Sequence, residues 1–221
     1  MKYYPMFLDL KGRRCLVVGG GQVAQRKVTT LVECGAEVIL IAPEVTDVLK
    51  EYVTGGRITH RIGNFTPSSL ENTFMVIGAT NDPTMNSRIA KEAAARGILH
   101  NIVDQPEDCS FILPSILARG DLTLAVSTAG RSPALAKKIR RQLEDQIGEE
   151  YGRFLEIMGL IRKRLLQENR PSAENKILFE TLVESDLLSQ CRNGNHEGID
   201  RRLQEILGPD YTLDKLQNGC K

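Results

Sequence analysis

Apolar and polar positions along the chain follow two regimes. Through the first half, short unbroken apolar runs rich in Val and Ile alternate with segments whose apolar positions recur every three or four residues. The first pattern is that of a strand buried on both faces, the second that of a helix hiding one face. Residues 14–18 (RCLVV), 37–42 (EVILIA), 74–79 (FMVIGA) and 98–103 (ILHNIV) read as buried strands, and 57–62 (RITHRI) as a weaker one. Residues 22–34 read as a helix with Val23, Val28, Leu31 and Val32 apolar and Gly35 in the stop position. In NDPTMNSRIAKEAAARG, Asp82 is a fitting N-cap, Pro83 the first helical residue and Gly97 the stop. Strands alternating with helices at this spacing predict an α/β fold, a Rossmann-like parallel sheet with helices on both faces.

The alternation then breaks. In SFILPSILARGDLTLAVSTAG two strand-like runs flank Arg119, Gly120 and Asp121, which reads as a β-hairpin and not a helical crossover. From Pro133 the chain turns helical and more charged, with RNGNHEG and LGPDY as its clearest breaks. Three parts follow: an α/β domain over residues 1–112, a hairpin-and-helix segment over 113–147 and a helical C-terminal region over 148–221.

Composition narrows the function classes. A chain of 221 residues holds one large or two modest domains with a real core. The formal net charge of +1 argues for neither nucleic acid nor membrane as partner, and the basic stretch 137–164 is diluted by Glu144, Asp145, Glu149, Glu150 and Glu156. No apolar run approaches the ~20 residues of a membrane span. The first residues, MKYYPMFLDLKGRR, lack the apolar core of a signal peptide, so a cytoplasmic protein is expected. The five cysteines are scattered without a CxxC pair and read as reduced thiols. No His/Cys/Asp cluster has the spacing of a permanent metal site. His60 and His196 read as bland, and His100 as packing against the core or a helix, four residues before Asp104.

Candidate chemistry begins at CLVVGGGQVAQRK. Gly19, Gly21 and Ala24 fit a G-x-G-x-x-G/A turn placed between a strand and a helix. Such a turn brings backbone N–H groups to a pyrophosphate, and the helix N-terminus adds about half a positive charge. The second strand ends IAPE; Glu44 is the acid nearest the place where a ribose hydroxyl is bonded, and equally a solvated loop charge. No Arg stands there to welcome a 2′-phosphate, which favours NAD over NADP. The candidate cofactor residues are Gly19, Gly21, Gln22 and Val23 of the turn, Pro43 and Glu44 after the second strand, and Thr80 and Asn81 after FMVIGA.

With YPMFLDLKGRRCLVVGGGQVAQRK, ATNDPTMNSRIA, NIVDQPEDCSFILPS and AVSTAGRSPALAKKIR in this order, residues 1–150 resemble the precorrin-2 dehydrogenase / sirohydrochlorin ferrochelatase family of siroheme synthesis, in its short stand-alone form. The resemblance implies an NAD-dependent oxidation of precorrin-2 to sirohydrochlorin. It also implies an intertwined homodimer built largely through the middle segment. The alternative within the family is a bifunctional enzyme that also inserts Fe2+. Asp104 matches the family's functional aspartate, to which proton removal is assigned; from the residues alone it reads as the start of a turn before Pro106. The implied substrate is a polycarboxylate macrocycle, and Asn101, Arg119, Ser127, Thr128, Arg131 and Ser132 are the candidate donors for it. Lys137, Lys138, Arg140 and Arg141 add charge nearby or form a solvated helix face. Thr128 and Ala129 depart from the Ser and Gly usual in fused relatives, and Ala129 loses glycine's backbone freedom. A reading of another class is a non-catalytic NAD-sensing module, which would place an acid directly at the end of strand two and would not need NIVDQPEDCSFILPS.

Overall fold

The computed structural model describes residues 2–168 and 170–218. The chain divides into two compact units, residues 1–113 and 114–221.

The first unit is a five-stranded parallel sheet in the order β3-β2-β1-β4-β5. In chain order its elements are β1 (Arg14–Val18), α1 (Gln22–Glu33), β2 (Glu37–Ile41), α2 (Asp47–Thr54), β3 (Thr59–Arg61), β4 (Met75–Gly78), α3 (Pro83–Ala95) and β5 (Leu99–Ile102). Leu16 of β1 stands between Ile39 of β2 and Val76 of β4. Alternate residues of one strand serve opposite cores, because successive side chains point to opposite faces. Val17, Leu40 and Ile77 pack with Ala24, Val28 and Leu31 of α1 and Leu49 of α2. Leu16, Ile39 and Val76 pack on the other face with Ile89 and Ala93 of α3. Each fully buried Leu, Ile or Val contributes about 1.5–3 kcal/mol, which is why β1, β2 and β4 are apolar apart from Arg14 and Glu37, where β1 and β2 begin.

The helix punctuation has a structural basis. After α1, Gly35 takes φ +72°, and the amides of Ala36 and Gly35 donate to the carbonyls of Leu31 and Val32. After α3, Gly97 (φ +66°) repeats the device, with Ile98 and Gly97 donating to Ala93 and Ala94. Both ends thus satisfy carbonyls that a helix terminus leaves open. Asp82 Oδ1 caps α3 by accepting from the amides of Thr84 (2.9 Å) and Met85 (3.2 Å). Strand ends fray by one or two residues from the expected bounds, and RITHRI pairs only over β3. Helix α2 has no counterpart in the sequence reading, and it matters because Thr46, its N-cap, borders the site described below.

The second unit opens with the expected antiparallel hairpin of β6 (Ser115–Arg119) and β7 (Leu122–Val126), turned at Gly120 with φ +55°. A Cβ on Gly120 would stand 3.2 Å from Gly152 Cα, so paired glycines let the hairpin tip lie on the next helix but one. Helices α4 (Pro133–Gln146), α5 (Glu150–Gln167), α6 (Ser172–Glu184), α7 (Leu187–Arg192), α8 (His196–Leu207) and α9 (Leu213–Asn218) follow. Ile161, Leu165, Leu182, Leu187, Ile199 and Leu203 form the core of α5 to α9. Besides the two expected breaks, the tail bends at Pro171 and at Ser185. Among the described residues no helix is long and apolar enough to cross a membrane.

Candidate active site

The strand order reverses between β1 and β4, and an open α/β sheet binds its ligands at such a point, beyond the carboxyl ends of the strands. A cleft of about 770 Å³ lies there, bordered by the segments that follow β1, β2, β3 and β4. Gly19, Gly21, Val23, Pro43, Glu44, Thr80 and Asn81, all expected cofactor residues, line it; Gln22 is exposed at the start of α1 and does not.

The three glycines have different tasks. Gly19 takes φ +117°, and a Cβ there would meet Ala79 O at 2.2 Å. A Cβ on Gly20 would meet Glu44 O at 1.9 Å, although the G-x-G pattern leaves position 20 unspecified. Gly21 has nothing within 4 Å of an added Cβ. The first two glycines therefore answer to the protein's own backbone, while Gly21 keeps the face of the turn bare. No side chain caps α1 and no acid lies in its first turn, so its leading amides remain available as donors. This is the arrangement a dinucleotide pyrophosphate fits.

Residues that pattern reading passed over hold the cleft's walls. The amide of Thr46 donates to Gly20 O (3.1 Å), and its hydroxyl donates to Gln25 Oε1 (2.7 Å), tying the loop after β2 to the glycine turn and to α1. On the opposite wall the buried side chain of Asn86 grips Thr80. A capping Thr followed by an apolar stripe was the available signal for Thr46; nothing in the sequence marked Asn86.

Beyond β5, on the same carboxyl edge of the sheet, Asp104 is exposed with φ +61°. Holding a non-glycine residue in this left-handed region costs about 1 kcal/mol. Among the described residues its carboxylate has no hydrogen-bond or ion-pair partner. Asn101, an expected substrate donor, donates its side-chain amide to Phe111 O (3.0 Å) and lies 3.6 Å from Cys109 Sγ. Burial, aided by Asp108 and Glu107, pushes the Cys109 thiol up against the pull of the Ile102 amide. His100 Nδ1 donates to Ile98 O (2.8 Å) and His60 Nε2 to Ala42 O (3.0 Å), so both rings serve the backbone. His196 Nε2 accepts from Arg153 (3.0 Å).

The other expected substrate residues belong to the second unit. Between β7 and α4, Ser127 Oγ accepts from the Ala129 amide (3.1 Å), Thr128 Oγ1 from the Ser132 amide (3.1 Å) and Ser132 Oγ from the Leu135 amide (3.2 Å). Each hydroxyl acts as acceptor in these bonds and retains its own proton for an anion. Ala129 and Gly130 take φ +53° and +81°, so the turn needs at position 129 the freedom that alanine lacks. Arg131 is exposed; its amide donates to Thr128 O (3.0 Å), and its guanidinium has no partner among the described residues. Arg119 is engaged: its Nε donates to Ile147 O (3.0 Å) and pairs with Glu149 (3.2 Å). Among the described residues no cluster of His, Cys, Asp and Glu is arranged to hold a metal ion.

Comparison with known proteins agrees with this anatomy. A family model described as NAD(P)-binding matches residues 6–115, and one described as the central part of a sirohaem biosynthesis protein matches residues 119–146. The siroheme synthase of Nitrosococcus oceani is 37% identical over 215 residues, which are 97% of this chain and 46% of that protein. That of Methylobacillus flagellatus is 37% identical over 207 residues, 94% of this chain and 44% of its own. The chain thus spans about half the length of the curated relatives it matches. The solved structure of SirC, precorrin-2 dehydrogenase, superposes with a TM-score of 0.75 at 29% identity, covering 92% of this chain and 98% of that one. Its first unit is a nicotinamide-dinucleotide-binding domain, and the chain belongs to the siroheme synthase / precorrin-2 dehydrogenase family.

Proposed function

We propose that the protein oxidises precorrin-2 to sirohydrochlorin, using NAD as the hydride acceptor. The observation that carries this reading is the match to a precorrin-2 dehydrogenase along nearly the whole of both chains. NAD held at the glycine turn of Gly19 to Gly21 would supply the hydride acceptor, and the oxidation also requires the macrocycle to give up a proton. Asp104 acts as the general base: a carboxylate without an internal partner, at the ligand edge of the sheet, is free to accept that proton. Among the cleft-lining residues the only charged ones are Glu44 and Asp82, which supports NAD over a dinucleotide bearing a 2′-phosphate.

The hydroxyls of Ser127, Thr128 and Ser132 and the guanidinium of Arg131 bind the substrate's carboxylates, while Asn101 ties β5 to the segment after it and Arg119 ties the end of β6 to the carbonyl of Ile147. The protein works as a cytoplasmic homodimer through the hairpin segment, whose Ile116 and Leu135 are apolar and exposed. The name its relatives carry, siroheme synthase, supports a second step on the same substrate, insertion of Fe2+ into sirohydrochlorin with Asp104 taking the pyrrole protons.

The test is anaerobic: wild type and Asp104→Ala are mixed with precorrin-2 and NAD, followed by absorbance, and then given Fe2+. Sirohydrochlorin from wild type alone supports the assignment of activity and base, and iron insertion faster than in a protein-free control adds the second step. NAD binding with precorrin-2 untouched would leave a sensor.

A further inference from the structure

β5 is one of the two edge strands of its sheet, and an edge strand presents outward N–H and C=O groups that need partners. Here the chain supplies them by folding back along its own edge. The amide of His100 donates to Ser110 Oγ (2.8 Å), and the Ser110 amide donates to His100 O (2.9 Å). Two residues on, the amide of Ile102 donates to Cys109 Sγ (3.1 Å). The thiol proton in turn lies within reach of the carbonyls of Ile102 (3.3 Å) and Gln105 (3.2 Å). One sulfur therefore joins backbone groups on both sides of Asp104. Before it, the Val103 amide is bonded to Gly78 O of β4 (2.9 Å). The tip that carries the left-handed Asp104 is thus gripped from the sheet on one side and from the thiol on the other.

We propose that Cys109 is a positioning residue for Asp104: its thiol, bonded to Ile102 and Gln105, holds the loop in the one conformation that presents the carboxylate at the ligand edge. This rests on the reading of Asp104 as the base. A strained residue persists only where its surroundings over-determine it, and the thiol spans the strained position beside the longer turn bond from the Gln105 amide to Ile102 O (3.4 Å). It must be protonated to donate and unprotonated at its lone pairs to accept, a double role that a thiol or a hydroxyl can play and a methyl cannot.

The test compares Cys109→Ala, Cys109→Ser, Asp104→Ala and the double variant Asp104→Ala/Cys109→Ala, as full-length protein. Five quantities are read: NAD affinity, kcat and KM for precorrin-2, thermal unfolding, and amide hydrogen exchange at Ile102. Cys109→Ala should lose about tenfold to a hundredfold in kcat, the scale on which a slightly misplaced catalytic group acts, with NAD affinity within twofold of wild type and faster exchange at Ile102. Cys109→Ser should recover most of the turnover. The double variant should be no slower than Asp104→Ala, since Cys109 acts through Asp104. If Cys109→Ala does not fold, Cys109→Val fills a similar volume without a donor and carries the same expectation.

Turnover by Cys109→Ala within twofold of wild type, while Asp104→Ala is inactive, overturns the positioning role and leaves the base standing. A parallel loss of NAD affinity, or a double variant slower than Asp104→Ala, makes Cys109 a general structural residue and overturns the proposal. Normal turnover by Asp104→Ala removes the base, and the positioning role falls with it.

Discussion

Asn86 closes on Thr80 from three directions: its Oδ1 accepts from the Thr80 hydroxyl (2.8 Å) and from the Thr80 amide (3.3 Å), and its Nδ2 donates to Thr80 O (3.1 Å). Asn86 is one of the few polar residues buried in the first unit, and Thr80 forms a wall of the dinucleotide cleft. A residue on α3 thus sets the shape of a loop that begins six positions earlier.

Asn86→Ala should therefore do two things at once. It leaves the Thr80 amide and carbonyl without their partner in a half-buried setting, at a cost of about 1 kcal/mol. It also frees the Thr80–Asn81 wall, so NAD should bind several-fold more weakly. Thermal unfolding with and without NAD reads both effects. A variant with the wild-type melting point and the wild-type shift on adding NAD would show that the clamp is dispensable.

Gly20 and Gly21 are neighbours with opposite expectations. Gly20→Ala drives a Cβ into the Glu44 carbonyl, which is backbone and cannot swing aside. Overpacking of this kind costs about 1–3 kcal/mol, and the variant should melt lower even with no dinucleotide present. Gly21→Ala meets nothing within 4 Å, and Gly21 has φ −80°, which alanine adopts without strain. It should melt like wild type and yet lose NAD affinity tenfold or more, because its methyl occupies the bare face of the turn. Equal melting of the two variants would contradict this division.

The sheet was readable because a strand buried on both faces leaves an unbroken apolar word, as in CLVV and VIG. The ends of α1 and α3 were readable because Gly35, Asp82, Pro83 and Gly97 do their work locally. Helix α2 escaped because eight residues with Leu49, Tyr52 and Val53 make too short a stripe to stand out. The demand on Gly20 escaped for a different reason: Glu44, which imposes it, is brought there only by folding. Asn86 and Cys109 are in the same position, one an ordinary polar residue of a helix and the other one of five scattered thiols until the loops they hold are seen. The glycine turn named the cofactor class, but the walls around it come from tertiary contacts.

Ala129 takes φ +53° in the turn before α4, a conformation that costs an L-residue about 1–2 kcal/mol and a glycine nothing. Ala129→Gly should relieve that cost, offset in part by the greater freedom of glycine in the unfolded chain. A net gain of about 0.5–1 kcal/mol is expected in chemical denaturation, with no loss of turnover since the hydroxyls of Ser127 and Thr128 remain. A lower denaturation midpoint would mean that the turn relaxes out of the left-handed region in solution.

Tyr211 and Glu168 each add to the pH dependence of the helical unit. The phenol donates to Glu168 Oε1 (2.7 Å), and Arg164 stacks on its ring at 4.3 Å. Burial first, and the carboxylate second, push Tyr211 up to about 12 from an ordinary 10.0. The folded state therefore holds the phenolic proton more tightly than the unfolded chain. That contribution is complete below about pH 10 and disappears as pH rises towards 12. For Glu168 burial raises the carboxyl, but the Tyr211 hydroxyl together with Arg170 and Arg164 outweighs it and leaves the group below its usual range. Its contribution is present above the ordinary Glu value and is lost as pH falls through the lowered one. Tyr211→Phe keeps the ring under Arg164 and removes only the hydroxyl, so it should cost about 0.5–3 kcal/mol at neutral pH. It should also flatten the stability loss between pH 10 and 12. Denaturation midpoints of wild type and variant across that range decide the matter: parallel curves would mean that the alkaline transition belongs to another group.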